Sequence, residues 1–221
     1  MVVAPPQHCR YAALSYVWGL PNDPQLKLTD ETEARLMAPR GLSATWGDVP
    51  KTILDAMALC KTLSIPHLWV DALCMKQTPR GVSVDSNFQL TEDMSNVYGA
   101  ACLTIVGAAG ENSWAGIPGL NRGSRTVLQQ IEVVNGSVLA SLQPSSSRVI
   151  DPTKWHSRGW TFQESNLSHR LLIFTDQQVF WSCKCDIFCE DIHWKMEPEN
   201  GGTKVLAAMT NPAIGEVYLV T

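Results

Sequence analysis

Apolar runs and amphipathic segments alternate through the first half of the chain. Residues 10–17 (Arg-Tyr-Ala-Ala-Leu-Ser-Tyr-Val) are short, mostly apolar and carry aromatic and β-branched members, which predicts a buried strand. The run stops at Trp18-Gly19-Leu20-Pro21-Asn22-Asp23-Pro24, a dense turn signal. Residues 25–48 are polar and poorly periodic, and predict a long loop with one helical turn near residues 31–36. The pattern then changes: Ile53, Met57, Cys60 and Leu63, with Leu54 alongside, recur at helical spacing. Asp48 as a cap and Pro50 in the first turn fit the start of that helix. Ile65-Pro66 ends it, and residues 67–74 predict a second buried strand. A helix over about 87–98, with Phe88, Met94, Val97 and Tyr98 near one face, and a third strand over 102–106 complete a β-α-β-α-β order. Strands alternating with helices across short turns are the signature of an open parallel sheet.

The second half reads differently. Residues 116–123 (Gly-Ile-Pro-Gly-Leu-Asn-Arg-Gly) form a glycine-rich loop without the lysine and spacing of a phosphate-binding loop. Arg122 there is either a solvated arginine or a contact for an anion. Residues 127–134 and 137–142 flank Asn135-Gly136, a strong hairpin signal, so a β-hairpin is expected as an insertion near 126–142. Strands follow over 171–174 and 178–183. Residues 184–221 lose clear periodicity, and the chain stops just after Val217-Tyr218-Leu219-Val220, an ending that reads as a shortened domain. One domain over 1–221 is expected, with its motifs in 11–190 and an extension over 191–221.

At 221 residues the chain can bury one good core. Its 45% hydrophobic and 17% charged content is globular. A net charge of -4 with no lysine or arginine cluster argues against a nucleic-acid partner. The N-terminus lacks a secretory pattern, and the longest weakly polar run, residues 100–110, is too short to span a bilayer. Seven scattered cysteines suit a reducing, cytoplasmic setting, and no membrane association is expected. Eight tryptophans suggest aromatic packing or a flat-walled pocket.

The most chemically suggestive stretch is Trp155-His156-Ser157-Arg158-Gly159-Trp160-Thr161-Phe162-Gln163-Glu164-Ser165-Asn166-Leu167-Ser168-His169-Arg170. If 160–167 is helical, Trp160, Glu164 and Leu167 share a face, where a poorly hydrated carboxylate can become chemically useful. Alternatively Glu164 pairs with Arg158 or Arg170 and orients the loop. Asp71, at a strand end, either faces the crevice where open α/β sheets bind ligands or caps the next turn. Cys183-x-Cys185-x3-Cys189-x3-His193 crowds four metal-ligating types into eleven residues, whereas structural zinc sites pair close cysteines with distant ligands. Buried cysteines account for the same spacing, and no metal is expected. No Gly-x-Ser-x-Gly elbow occurs, and nothing local joins Cys74 to His67 or His156 as a nucleophile pair.

Several of these stretches, taken together, resemble the fungal heterokaryon incompatibility (HET) domain. They are Tyr11-Ala12-Ala13-Leu14-Ser15-Tyr16-Val17-Trp18-Gly19, Pro50-Lys51-Thr52-Ile53-Leu54-Asp55-Ala56 and Leu68-Trp69-Val70-Asp71-Ala72-Leu73-Cys74. Met94-x3-Tyr98-x-Ala100-x2-Leu103-Thr104-Ile105-Val106 and Arg158-Gly159-Trp160-Thr161-Phe162-Gln163-Glu164-x2-Leu167-Ser168-x-Arg170 follow in the family's order, with Trp181-x-Cys183 beyond. One departure is Met75-Lys76-Gln77, which puts a lysine where the family's short Ile-x-Gln stretch is commonly acidic or amide-bearing.

The resemblance implies a cytosolic module of non-self recognition and regulated cell death, usually placed at the N-terminus of longer proteins. It also implies distant kinship with TIR domains, hence a flavodoxin-like, mainly parallel open sheet flanked by helices. Some TIR domains cleave NAD+ with one glutamate in a Trp-Cys-x-x-Glu pattern, and Trp160-Thr161-Phe162-Gln163-Glu164 has the same offset with threonine for cysteine. By that analogy Glu164 is the expected catalytic carboxylate. Tyr16, Trp18, Gly19, Asp71, Arg158 and Trp160 are the expected groups around a bound NAD+ substrate. Trp18, Trp155 and Trp160 read either as stacking platforms or as core. The alternatives are a non-catalytic module working by self-association or with a partner incompatibility protein, and a HET-like protein reused in a biosynthetic step.

Overall fold

The computed structural model describes residues 1–3, 9–77, 94–135 and 137–190, and the backbone of His193–Met196 and Val205–Ala208. Its centre is a six-stranded sheet. β1 (Tyr11–Tyr16) pairs in parallel with β2 (His67–Trp69) on one side and β3 (Leu103–Gly107) on the other. β6 (Arg170–Phe174) adds in parallel to β3, and β7 (Val179–Cys183) and β8 (Ile187–Cys189) continue antiparallel, giving the order β2-β1-β3-β6-β7-β8. This is an α/β fold with a mixed, mainly parallel open sheet, as the resemblance implies. The inserted hairpin forms a separate two-stranded sheet of β4 (Ile131–Val134) and β5 (Ser137–Ala140). Asn135 takes the left-handed conformation, φ 51°, that such tight turns need. A further antiparallel pair joins β9 (His193–Met196) to β10 (Val205–Ala208).

A central strand with helices on both faces must be apolar on both sides, and β1 is. Ala12, Leu14 and Tyr16 pack into the larger core with α1 (Asp30–Met37), the short α2 (Gly41–Ala44) and α3 (Lys51–Thr62). Ala13 and Val17 face the other way. Ala13 meets Tyr98 and Ala101 near the helix over 94–100 (α5), and Val17 meets Val106 and Trp155. α6 (Ser146–Ile150) and α7 (Gly159–Leu167) lie between β3 and β6 in the chain. β6 alternates likewise: Leu172 and Phe174 join the first core, Leu171 and Ile173 the second.

Where structure and sequence pattern differ, local bonding supplies the reason. The loop expected over 25–48 holds the eight-residue α1. Thr29 and Thr32 form a reciprocal capping box, and Asp30, Glu31 and Glu33 fill the first turn, where negative charge suits the helix dipole. α3 is capped by Pro50 rather than Asp48, and its buried face includes Thr52 and Asp55. The strand expected over 67–74 ends at Trp69, because Asp71–Cys74 turns into the one-turn helix α4. Strands β8 to β10 occupy a region without sequence periodicity. Phe88 and the first half of the helix expected over 87–98 lie outside the described residues. No described helix is long and apolar enough to cross a membrane.

Candidate functional site

The carboxyl end of β1 distributes two neighbouring side chains to opposite faces, as a strand must. Ser15 points toward α7, and its hydroxyl donates to Oε2 of Glu164. The indole Nε1 of Trp155 donates to Ser15 Oγ at 2.7 Å. An indole nitrogen is a donor only, so Ser15 accepts there and its single proton is committed to Glu164. Oε2 is therefore an acceptor, and any proton on Glu164 resides on Oε1. Tyr98, whose hydroxyl is 3.1 Å from the Leu14 carbonyl, also bonds to the Glu164 carboxyl. All four side chains are buried, Glu164 with 7% of its surface exposed.

Tyr16, one residue on, serves the other face. Its hydroxyl accepts from Gln25 Nε2 at 2.7 Å and bonds to Asp71. Asp71 opens α4 at the end of β2. Its Oδ1 accepts the Ala72 N–H at 2.7 Å, and its Oδ2 accepts Trp18 Nε1 at 2.8 Å. Asp71 thus caps the turn that follows β2. The Trp18 ring carries the Lys27 ammonium 5.2 Å from its centroid. Arg158, at the N-terminus of α7, reaches back to donate to the Tyr16 carbonyl at 2.8 Å.

Enclosure raises both acids. Burial pushes Glu164 to about 7, against lowering by the Ser15 hydrogen bond, and the nearby Asp71 charge raises it further while Arg158 and Tyr98 lower it. Burial likewise lifts Asp71 to about 6, opposed by the Ala72 N–H, Trp18, Arg158 and Tyr16. Arg158 moderates both acids, and burial remains the first cause of each shift.

Of the sequence-predicted residues, Glu164, Tyr16, Trp18, Asp71 and Arg158 converge on this edge. Among the described residues no ion pair joins Glu164 to Arg158 or Arg170. Gly19 shapes the turn: its φ is +106°, and a Cβ there would stand 2.2 Å from Asp23 Oδ2 and 2.8 Å from Asn112 Cβ. Trp160 departs from expectation. Thr161, Glu164 and Ser168 face inward, while Trp160 stands 49% exposed on the outer side of α7 beside the exposed Phe162. The indole that serves Glu164 is Trp155, held by the preceding turn. Ser15, Trp155 as a donor, Tyr98 and Gln25 are the contributions that spacing did not reveal. A serine inside an otherwise apolar buried strand was the one available signal.

Other candidates fall away from the edge. Cys74 accepts the Val70 N–H at 3.4 Å, and burial raises its thiol, the opposite of what a nucleophile needs. Lys76 turns outward to Asp30 and Glu33 of α1 at 2.6 and 2.9 Å. Arg122 is exposed. Among the described residues no group of three metal-ligating side chains is gathered, and the His193 side chain lies outside them. A hollow of about 450 Å³ opens at the start of β2 beside Cys60 and Leu68, at the opposite end from the carboxylates. A second, of about 440 Å³, lies next to Gln25.

The fold and this edge define a doubly wound α/β domain with a polar site at the carboxyl ends of its central strands. The chain belongs to the heterokaryon incompatibility family. The model of that family, described as heterokaryon incompatibility protein (HET), matches residues 11–164, well over half of the chain. The matched span begins with β1 and ends on Glu164. No curated protein and no solved structure matches the chain. With the family comes a role in heterokaryon incompatibility, the recognition of non-self.

Proposed function

We propose that the domain carries out this role by hydrolysing NAD+ at the nicotinamide–ribose bond, with Glu164 as the catalytic carboxylate. Heterolysis returns the bonding pair to nicotinamide, which leaves neutral, and builds positive charge on the ribose. Water then adds to the ribose and loses a proton, giving ADP-ribose. Because the leaving group departs from a cationic ring, no general acid is required, and one ionised carboxylate beside the ribose stabilises the developing charge. That stabilisation is strongest where water is excluded. Arg158 and Asp71 would orient the polar parts of the substrate.

The observation that carries this reading is the state of Glu164: buried, bonded to a serine rather than an arginine, and raised to about 7. A carboxylate used only to brace a loop would be expected to pair with a cation. Purified protein is incubated with NAD+ and free nicotinamide is measured. Glu164→Gln, which can still accept from Ser15, should lower release by about a hundredfold or more with its melting temperature preserved. Equal release from both proteins would remove Glu164 from the mechanism.

A second reading, self-association without catalysis, is favoured by a different observation. The inserted hairpin and its flanks expose Leu128, Val133, Leu139 and Leu142, each by more than half of its surface.

A further inference from the structure

The hollow next to Gln25 has features that the carboxylate site does not use. It is an open depression of about 440 Å³ lined by Pro24, Gln25, Leu26, Gly47, Asp48 and Trp114. Its flat wall is the Trp114 indole, 37% exposed and pinned by its own Nε1 to the Pro24 carbonyl at 2.7 Å. Gly47 leaves the opposite side open, since a Cβ there would meet nothing within 4 Å. The polar side-chain groups it presents are acceptors. The acceptor open to the hollow is the exposed Asp48 carboxylate, while Gln25 behind the wall directs Nε2 to Tyr16 and keeps its Oε1 enclosed. A ligand N–H that meets the Asp48 carboxylate makes a charge-assisted hydrogen bond there. Aromatic and proline walls with acceptors at the rim suit a flat ring that brings its own donors.

We propose that this hollow is a binding subsite for a flat heterocycle carrying an exocyclic amine, the aminopurine class. It lies on the α1 and α3 side of β1, whereas Glu164 lies on the other. Tyr16 connects them, bonded to Gln25 on one side and to Asp71 on the other. A ligand that straddles the carboxyl end of β1 would thus place its amine-bearing base against Trp114 and its reacting end toward Glu164. The biological sense of the subsite rests on the NAD+ reading given above. Its test does not.

Adenosine and inosine are titrated calorimetrically into full-length Glu164→Gln protein. Adenosine should saturate, and inosine, which sets a carbonyl where adenosine has the amine, should bind at least about tenfold more weakly. Trp114→Ala and Asp48→Ala should each weaken adenosine at least about fivefold. Asp48 is exposed, so its variant separates loss of binding from loss of fold. Absence of adenosine binding, equal binding of inosine, unchanged binding in both variants, or preferential binding of arginine amide would each overturn the subsite. Adenosine has no nicotinamide bond, so these outcomes leave NAD+ hydrolysis standing, and absence of hydrolysis leaves the subsite standing.

Discussion

Glu164 is held among groups that disfavour its charge, and this has a consequence for the fold as well as for chemistry. Below about pH 4 the carboxyl is protonated in both folded and unfolded chains and contributes no difference. As pH rises toward 7 the unfolded chain ionises first, from an ordinary value of 4.5, while the folded one holds its proton until about 7. Stability therefore falls across that window and levels off above it, by up to about 3 kcal/mol from this group. Asp71 acts in the same direction over a narrower range ending near 6. Glu164→Gln should be more stable than the wild type at pH 8, by about 1–3 kcal/mol in urea unfolding, and nearly equal to it at pH 4. A difference independent of pH would show that the carboxyl is not enclosed as described. If the ionised form is the active one, nicotinamide release rises with pH through about 7. The sequence reading of Glu164 as a poorly hydrated carboxylate agrees with its burial, but its surroundings were not legible. The face was misassigned because α7 turns Thr161 and Ser168 inward with Glu164, and Trp160 outward. Ser15 lies 149 positions from Glu164 in the chain, and no local pattern encodes that meeting.

Among the elements, α3 does more than cover the sheet. Asp55, nearly buried, accepts from Ile117 N–H at 2.8 Å, from Asn121 Nδ2 at 3.2 Å and from Lys51 at 2.6 Å. Thr52 accepts the Gly116 N–H at 3.0 Å. The glycine-rich loop over 116–123 is clamped to the helix by its own N–H groups. Asp55→Ala would leave those donors unpaired, and should cost about 2–4 kcal/mol in chemical denaturation and open residues 116–123 to limited proteolysis. Lys51→Ala should cost under about 1 kcal/mol, because the lysine is half exposed. Equal effects of the two would argue that the ion pair, not the loop, is what Asp55 serves. Buried strands β1, β3, β6 and β7 and the hairpin were legible because burial on both faces or an Asn-Gly turn leaves a strong local mark. α1 was read as a single turn because its cap is a pair of threonines rather than an apolar stripe. α4 was read as strand because Ala72, Leu73 and Cys74 continue the apolar run of β2 without a break.

At the scale of the molecule, the hairpin is the surface least suited to water among the described residues. Its register puts Ile131, Val133, Ala140 and Leu142 on one side and Leu139 and Val134 on the other, with Glu132 the sole charge across 127–142. Neither strand carries the lysine or proline that natural sheet edges use to discourage pairing. Light scattering across a concentration series should show reversible association of the wild type, lost in Leu139→Lys and Val133→Lys. A wild type that stays monomeric throughout would remove self-association through this face. The overall plan followed from the order of elements, whereas the antiparallel continuation through β8 came from pairing with β7 that the 184–190 segment does not announce.

The alternation at the end of β1 has one more implication. Because Ser15 and Tyr16 sit on opposite sides of one strand, sliding that strand by a single position would exchange the hydroxyl offered to Glu164 for the phenol offered to Asp71. Neither acid would then keep its neutral-range titration. Proton uptake between pH 5 and 8 thus works as a fingerprint of correct strand alignment, readable in a refolded sample before any substrate is known.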